Sequence, residues 1–526
     1  MAAISFPRDS EPAAAGRGVS DRLSAAAGRD DILMYVSMAL LLISTIQGTG
    51  LIGDATKVVW LISIAVLTAL NIGAAFGVYV AGVALYAVRT FGGWGAVTDR
   101  PDNYALLIVV AGLLLRMVVA RARLWSWSAV VIVGFVAYGL LDTAVMGLLS
   151  RYTFAWYMRT FGLPMLMFLL LAQHGFGLRE FRSLVRSLLV LGAYMALVSI
   201  AERVGLYDFI VPTWISAPPP DASGPSLASV LYPGRSGGVL MQPAWNGLAL
   251  SLILCLAILS ARLSTGRSRW VGGVVGLLCL IGIFLSYTRA AWLACAFASL
   301  VLLWRPAATR TKTQLKRFGV VAGSAVLIVT LALLPDTTAR QRIGDSGTVL
   351  FRFNLWEAGA GMVADRPLFG SGFGSFGDNI ADYEQDMTVG PPTNFSASPS
   401  HNTLLNVLVE LGLIGIVLYA GALIVMLRRI RAAALQRWGR EGAVWATVFF
   451  GVYVIQAQFA FAHEPTTNQI FFGVMGAVAG LLCRDPVVAR RAPMVSHGPS
   501  ATPALTLTGA RVAPRPPRTP TTSVLV

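Results

Sequence analysis

The sequence has few charged residues, few cysteines and few histidines for its length. Only 13% of its 526 residues are Asp, Glu, Lys or Arg, whereas 56% are hydrophobic, which excludes an ordinary soluble domain. The four cysteines fall in apolar segments and form no CxxC pair, so the sequence predicts neither a disulfide framework nor a zinc site. With four histidines in total, any general base of this type must come from a very small set.

The apolar residues are grouped in many separate runs long enough to cross a bilayer. This pattern predicts an all-α polytopic membrane protein with about 12–14 transmembrane helices, and one long loop on the outer side between two late helices. A barrel is excluded because its strands would alternate apolar and polar residues. The expected spans are 31–53, 57–73, 75–92, 104–120, 127–149, 152–173, 181–205, 238–262, 270–287, 289–304, 317–335, 403–427, 443–463 and 468–483. Dividing 57–92 into a hairpin around Asn71-Ile72-Gly73 keeps the Arg-rich loops on one side of the membrane.

The net charge of +16 is explained by membrane orientation rather than by nucleic-acid binding, because the basic residues concentrate in alternate short loops. The expected organisation is a disordered cytoplasmic N-tail at 1–30 and a transmembrane helical domain at 31–483. The long outer loop is 336–402, and a disordered cytoplasmic C-tail at 484–526 is expected to associate with membrane lipids.

A histidine stands where the long polar loop meets a late apolar helix. Ser400 or Asn402 can cap this helix, and His401 between them lies beside the positive end of the helix dipole. That position disfavours the imidazolium and keeps the ring neutral near pH 7, so it can accept a proton from a hydroxyl. The same helix end attracts phosphate. The alternative is a histidine that only caps a membrane helix at the water interface.

Ionisable residues inside the spans gather in the outer third of the bundle, and each is a functional candidate. Asp142 and Arg159 both lie roughly 10 Å below the outer surface, which predicts an ion pair across their hairpin. For this pair, a purely structural role that holds the two helices together and a direct role in function both remain open. Glu410 reaches a similar depth. Four further residues near this face are expected to be interfacial and solvated: Glu202, Arg203, His463 and Glu464.

Three arginines near the outer face have the chemistry of an anion site. Arg235 stands in a Gly-rich turn ahead of Asn246, Arg289 opens a span, and Arg352 lies in the long loop. Guanidinium groups stay charged and bind phosphate bidentately, as a lipid-linked diphosphate would require. The alternative for each is an arginine that contacts headgroups or snorkels to the interface.

Four segments, in this order, resemble the O-antigen ligase and polysaccharide polymerase family of bacterial membrane glycosyltransferases. They are Arg235 through Asn246, Ser286-x-x-Arg289-Ala-Ala-Trp, Asp365 through Phe376, and Ser400-His401-Asn402-Thr403 through Gly415. The resemblance covers roughly residues 230–425. It implies transfer of a glycan from undecaprenyl diphosphate to a hydroxyl of a glycan or lipid A-core acceptor. The reaction would take place at the periplasmic face of the bacterial inner membrane, with no metal, nucleotide-sugar or other cofactor.

The resemblance also implies roles for particular residues. His401 would be the general base on the acceptor, while Arg235, Arg289 and Arg352 would bind the donor diphosphate. Direct attack on the anomeric carbon would invert its configuration. The supporting residues are Asn402, Glu410, Asn246, Asp142 and Arg159.

Several functions remain open at this point. Within the family, the choices are a polymerase, a ligase onto lipid A-core and a protein O-glycosyltransferase, and the long 336–402 loop favours a polymerase. A transporter or flippase of lipid-linked glycans would instead have polar residues through the midplane, broken helices and paired halves. The glycosyltransferase hypothesis requires one imidazole and at least two guanidinium groups to converge on one pocket.

Overall fold

The structure, a computed structural model, describes residues 17–46, 51–86, 101–119, 126–206, 235–303, 347–386, 400–459 and 465–481. All regular secondary structure in these ranges is helical. The helices are α1 Arg17–Ile46, α2 Leu51–Leu70, α3 Ile72–Tyr86, α4 Pro101–Val119, α5 Trp127–Val145, α6 Arg151–Tyr157, α7 Leu163–His174, α8 Leu178–Val204, α9 Pro243–Leu263, α10 Arg267–Leu285, α11 Arg289–Leu303, α12 Gly347–Asp365, α13 Phe376–Asn379, α14 Thr403–Ala457 and α15 Pro465–Gly480. A π-helical turn, Met158–Gly162, joins α6 to α7, and short 3₁₀ helices occupy Gly238–Leu240 and Ile380–Asp386.

The predicted fold class is confirmed: the protein is an all-α polytopic membrane protein. In the described part of the chain, seven helices are long and apolar enough to cross a membrane, namely α4, α5, α6–α7, α8, α9, α10 and α14. The predicted span 317–335 and the tail 484–526 lie outside the described residues.

The hairpin around Asn71 is also present. α2 ends at Leu70 and α3 begins at Ile72, so the chain is divided into two helices where the charge pattern placed the turn. The Asn71 side chain caps α3 by accepting from the N–H of Ala74 at 3.2 Å, and its amide donates to Ser183 Oγ at 3.0 Å.

Helix α3 lies at the centre of the bundle, and every one of its residues is buried. Its glycines allow close packing against α8. A Cβ on Gly73 would lie 1.9 Å from the Glu180 carbonyl oxygen, and one on Gly77 would lie 1.9 Å from Ser187 Oγ. Small residues at such crossings let helices approach closely in a membrane, where packing has to replace the hydrophobic effect.

The first helix begins earlier than the sequence predicted. α1 starts at Arg17, ahead of the predicted span 31–53, and residues 1–16 lie outside the described ranges. Asp30 and Asp31 form ion pairs with Arg179 and Arg186 of α8, which attach this end of the bundle to the core. The physical reason is that these pairs, together with Ala-rich helix propensity, extend the helix beyond its apolar part.

Two predicted spans, 403–427 and 443–463, form one helical run, α14, with breaks at two glycines. Gly439 separates the two spans with φ 66°, and Gly412 interrupts the first with φ 64°. Beyond Gly412 the N–H groups of Leu413 and Ile414 donate to the carbonyls of Pro367 and Leu368, at 2.9 and 3.3 Å. The chain after α12 is therefore bonded into the break in α14.

Candidate active site

His401 lies one residue before the cap of α14. The cap is Asn402, whose side-chain oxygen accepts from the N–H groups of Leu404 and Leu405 at 3.0 and 3.1 Å. Ser400 takes a different part, since its hydroxyl donates to the Asn402 carbonyl at 2.8 Å and also to the Asn406 side chain. Of the two predicted caps, Asn402 is the one present.

The backbone of His401 has a left-handed conformation, with φ 54°. Such a conformation is uncommon in residues other than glycine and persists only where the surroundings hold it. Here the indole Nε1 of Trp356 donates to the Ser400 carbonyl at 3.1 Å, and the ring of Phe351 lies 6.4 Å from the imidazole, centroid to centroid. Helix α12 thus contacts both the imidazole and the residue that precedes it.

Burial and a neighbouring cation lower the pKa of His401 to about 4, with Arg352 of α12 as the cation. The pKa of Arg352 is itself lowered, first by burial and then by the charge of Arg289. The imidazole thus lies within electrostatic reach of Arg352, and Arg352 lies within reach of Arg289. The structure therefore brings His401, Arg352 and Arg289 into one electropositive site.

Arg235 reaches the same site through the turn between α10 and α11. Its Nε donates to the Ser286 carbonyl and one terminal nitrogen donates to Thr288 Oγ1, each at 3.2 Å. Arg289 follows Thr288 directly and has an exposed side chain. The two arginines consequently flank one short turn, although they are more than fifty residues apart in the sequence.

Asn246 lies beneath the turn that carries Arg235. It is fully buried, and its amide donates to Ser199 Oγ of α8 at 2.8 Å. A Cβ on Gly238 would lie 2.4 Å from the Asn246 amide nitrogen, so the turn rests directly on this side chain. Asn246 supports the backbone near Arg235.

Glu410 is buried at 3% exposure in the first part of α14. Its carboxylate accepts from the backbone N–H groups of Gly374 and Phe376, and weakly from the Asn406 amide at 3.4 Å. The Gly-rich segment 369–376 is therefore attached to the helix that follows His401. The hydrogen bonds of Glu410 among the described residues come from backbone and amide groups and not from the arginines.

The predicted Asp142–Arg159 ion pair is wrong. Arg159 instead binds Asp102 of α4, with an N–O distance of 2.6 Å and both side chains largely buried. The reason is local geometry: Arg159 falls in the π-helical turn Met158–Gly162, whose wider turn alters the direction of side chains. Asp142 lies near the phenols of Tyr138 and Tyr157, and its Oδ2 has no hydrogen-bond partner among the described residues.

Residues 274–420 match a family model described as O-Antigen ligase. Over this region the chain is similar to the O-antigen ligase family. No curated protein matched the chain. The family resemblance is therefore confirmed over a region that contains Arg289, Arg352, His401 and Glu410.

Part of the site lies outside the matched O-antigen ligase region. Arg235 and Asn246 precede residue 274, yet they share the α10–α11 turn with Arg289. The described residues hold no group of three or more His, Cys, Asp and Glu side chains arranged for a metal ion.

Two residues of the site were missed by the sequence argument. Glu202 was expected to be solvated, but it is buried at 8% exposure and accepts hydrogen bonds from the turn that carries Arg235. Arg203, expected to be interfacial, lies near enough to Tyr287 for its charge to affect the phenol. Both lie at the end of the predicted span 181–205. The available signal was an acidic residue at the same membrane face as a Gly-rich turn. His463 and Glu464 lie outside the described residues.

Proposed function

We propose that the protein transfers a glycan from undecaprenyl diphosphate to an acceptor hydroxyl, with inversion at the anomeric carbon and without a metal ion. The observation that carries this proposal is the neutral His401 beside Arg352 and Arg289, inside an O-antigen ligase region. One group is suited to accept a proton and the others are suited to receive a phosphate anion.

His401 acts as the general base. At neutral pH its imidazole is unprotonated, because burial and Arg352 hold its pKa near 4. It accepts the proton of the acceptor hydroxyl as the oxygen attacks the anomeric carbon. The bond from that carbon to the diphosphate oxygen breaks on the opposite face, so the configuration inverts. The proton ends on the imidazole and the electron pair on the diphosphate.

The arginines stabilise the charge that develops on the leaving diphosphate. Arg289 and Arg352 are electrostatically coupled, and Arg235 is oriented by its bonds to Ser286 and Thr288. Fixed cationic donors aimed at a developing oxyanion lower the barrier without reorganisation during the reaction. A diphosphate is a good leaving group once its charge is neutralised, and it then needs no strong acid.

The acceptor is a glycan chain or lipid A-core, and polymerisation of repeat units is the favoured reaction. What supports this choice is the long segment 336–402, whose helix α12 contacts the histidine and provides one arginine. The site faces the periplasm in the topology that the positive-inside rule predicts. Membrane lipids surround the helices, and the donor enters from the outer leaflet.

The test uses His401→Ala with His174→Ala as the matched control. His174 ends α7, on the predicted cytoplasmic side, and takes no part in the site. His401→Ala should abolish the polysaccharide while lipid-linked units still appear at the outer face, and His174→Ala should leave both unchanged. Lipid-linked units trapped inside the cell in the His401→Ala strain would instead indicate a flippase and overturn the proposal.

A further inference from the structure

Glu202 occupies an unusual place for a carboxylate. It lies in the last turn of α8 at 8% exposure, and the next residue in the chain is Arg203. Burying a carboxylate is costly unless hydrogen bonds or opposite charges compensate. The hydrogen-bond partners of Glu202 therefore indicate the role of its carboxyl group.

One oxygen of Glu202 receives two hydrogen bonds from the segment that follows Arg235. The hydroxyl of Ser236 donates to Oε2, and the backbone N–H of Gly238 donates to the same atom at 2.9 Å. Gly238 has φ 56°, a left-handed conformation that directs its N–H inward and that a side chain would strain. The carboxylate thus holds the backbone within three residues of Arg235.

Two other contacts also hold this turn in place. The N–H of Ser236 donates to the Leu285 carbonyl at 3.0 Å, which connects the turn to α10, and Asn246 packs beneath Gly238. Glu202 adds the attachment to α8. It is the partner that makes two hydrogen bonds to the turn, to Ser236 and to Gly238.

We propose that Glu202 is a positioning residue, which orients the Arg235 guanidinium toward the donor diphosphate by holding the Ser236–Gly238 backbone. This inference rests on the proposed function, because it gives Arg235 its diphosphate-binding role. Glu202 itself touches neither the diphosphate nor the reacting atoms.

The first measurement concerns the geometry and needs no ligand. Hydrogen–deuterium exchange of the full-length protein in lipid nanodiscs reports on the backbone N–H groups of residues 236–241. Glu202→Ala should raise exchange there, and Glu202→Gln should leave it near the wild-type level because the amide oxygen still accepts both bonds. The matched control is Glu180→Ala, which removes another buried carboxylate from the opposite end of α8 and should leave exchange at 236–241 unchanged.

The second measurement concerns the consequence for binding, with undecaprenyl diphosphate as the probe. Glu202→Ala should weaken binding by about tenfold to a hundredfold, as expected when two buried donors are left without their acceptor, and Glu202→Gln should restore most of it. Combining Glu202→Ala with Arg235→Ala should weaken binding no further than Arg235→Ala alone, since Glu202 acts only through Arg235. Ser236→Ala removes one of the two donors and keeps the acid, so it should weaken binding less than Glu202→Ala. It replaces Glu202→Ala in this test if that variant does not fold.

The outcomes separate the inference from the proposed function. If the wild-type protein does not bind undecaprenyl diphosphate while exchange at 236–241 responds as expected, the proposed function fails and the anchoring of the turn stands. If the wild type binds but the losses of Glu202→Ala and Arg235→Ala multiply in the double variant, Glu202 does not act through Arg235 and the inference is overturned. Unchanged exchange in Glu202→Ala, or in Ser236→Ala where that variant replaces it, also overturns it.

Discussion

Arg352 and His401 are electrostatically coupled: the guanidinium charge adds to burial in lowering the pKa of the imidazole to about 4. The sequence argument also expected a neutral histidine, but it attributed the neutrality to the helix dipole of α14. The structure assigns it to burial and to a cation on α12, two elements that no local pattern connects. The neutrality of His401 therefore depends on Arg352 and should respond to its removal.

Arg352→Gln should move the acidic limb of the pH profile upward. Without the cation, the imidazolium forms more easily, so the pKa of His401 rises from about 4 toward its ordinary value of 6.5. The base form is lost as pH falls through this pKa, so kcat/KM should begin to fall at a higher pH in the variant. Arg235→Gln is the control and should lower kcat/KM without moving the limb. A limb at the same pH in Arg352→Gln and the wild type would show that Arg352 does not tune the histidine.

Arg289→Lys should remain impaired, although the charge is kept. An ammonium is a point charge and cannot reproduce the forked contact of a guanidinium with phosphate. A loss of about tenfold or more in kcat/KM for the lipid-linked donor is expected, from the weakening of one charge-assisted contact. Steady-state kinetics with purified protein measure it. Full activity of the lysine variant would contradict the diphosphate role of Arg289.

The Arg159–Asp102 pair should contribute to stability, and Asp142 should be independent of it. Removing one partner of a buried ion pair typically costs about 3–5 kcal/mol, because the other charge is left uncompensated. We expect Arg159→Met and Asp102→Asn to lower the thermal midpoint in detergent, with strongly non-additive effects in the double variant. Arg159→Met combined with Asp142→Asn should be additive. Coupling to Asp142 rather than Asp102 would restore the pair expected from the sequence.

The two glycines that break α14 should differ in their tolerance of alanine. Gly412 has φ 64° and ψ −168°, and Gly439 has φ 66° and ψ −160°, a backbone region essentially confined to glycine, so alanine at either position costs about 1–3 kcal/mol of strain. A Cβ on Gly439 would meet nothing within 4 Å, whereas one on Gly412 would lie 2.2 Å from the Leu368 carbonyl oxygen. Gly412→Ala should therefore cost about 1–3 kcal/mol more than Gly439→Ala, the typical effect of overpacking. Thermal unfolding of the two purified variants provides the comparison, and equal losses would contradict it.

The features that the sequence predicted correctly depend on residues that are close together along the chain. Apolar runs located the helices, and the hairpin at Asn71 followed from the alternation of charge between loops. His401, Asn402 and Arg289 were found because they stand next to helix starts, where capping and dipole effects are local. These signals are carried by residues that are neighbours in the chain.

The sequence did not predict features that depend on direction around a helix axis. Depth alone paired Arg159 with Asp142, but the π-helical turn directs it to Asp102. Similarly, Glu202 lies at the end of an apolar span and would be solvated if the segment after Arg235 were not packed over it. Such contacts are decided by which helices become neighbours, and a single sequence does not contain that information in local form.

The proximity of Arg352 to His401 also makes anion binding and protonation reciprocal. An anion held by Arg352 screens the guanidinium charge from the imidazole and so strengthens the histidine as a base. By thermodynamic linkage, a proton on the histidine tightens the hold on the anion by the same factor. The base strength of His401 thus depends on whether Arg352 has bound an anion. A diphosphate donor held by Arg352 would itself activate the imidazole that deprotonates the acceptor.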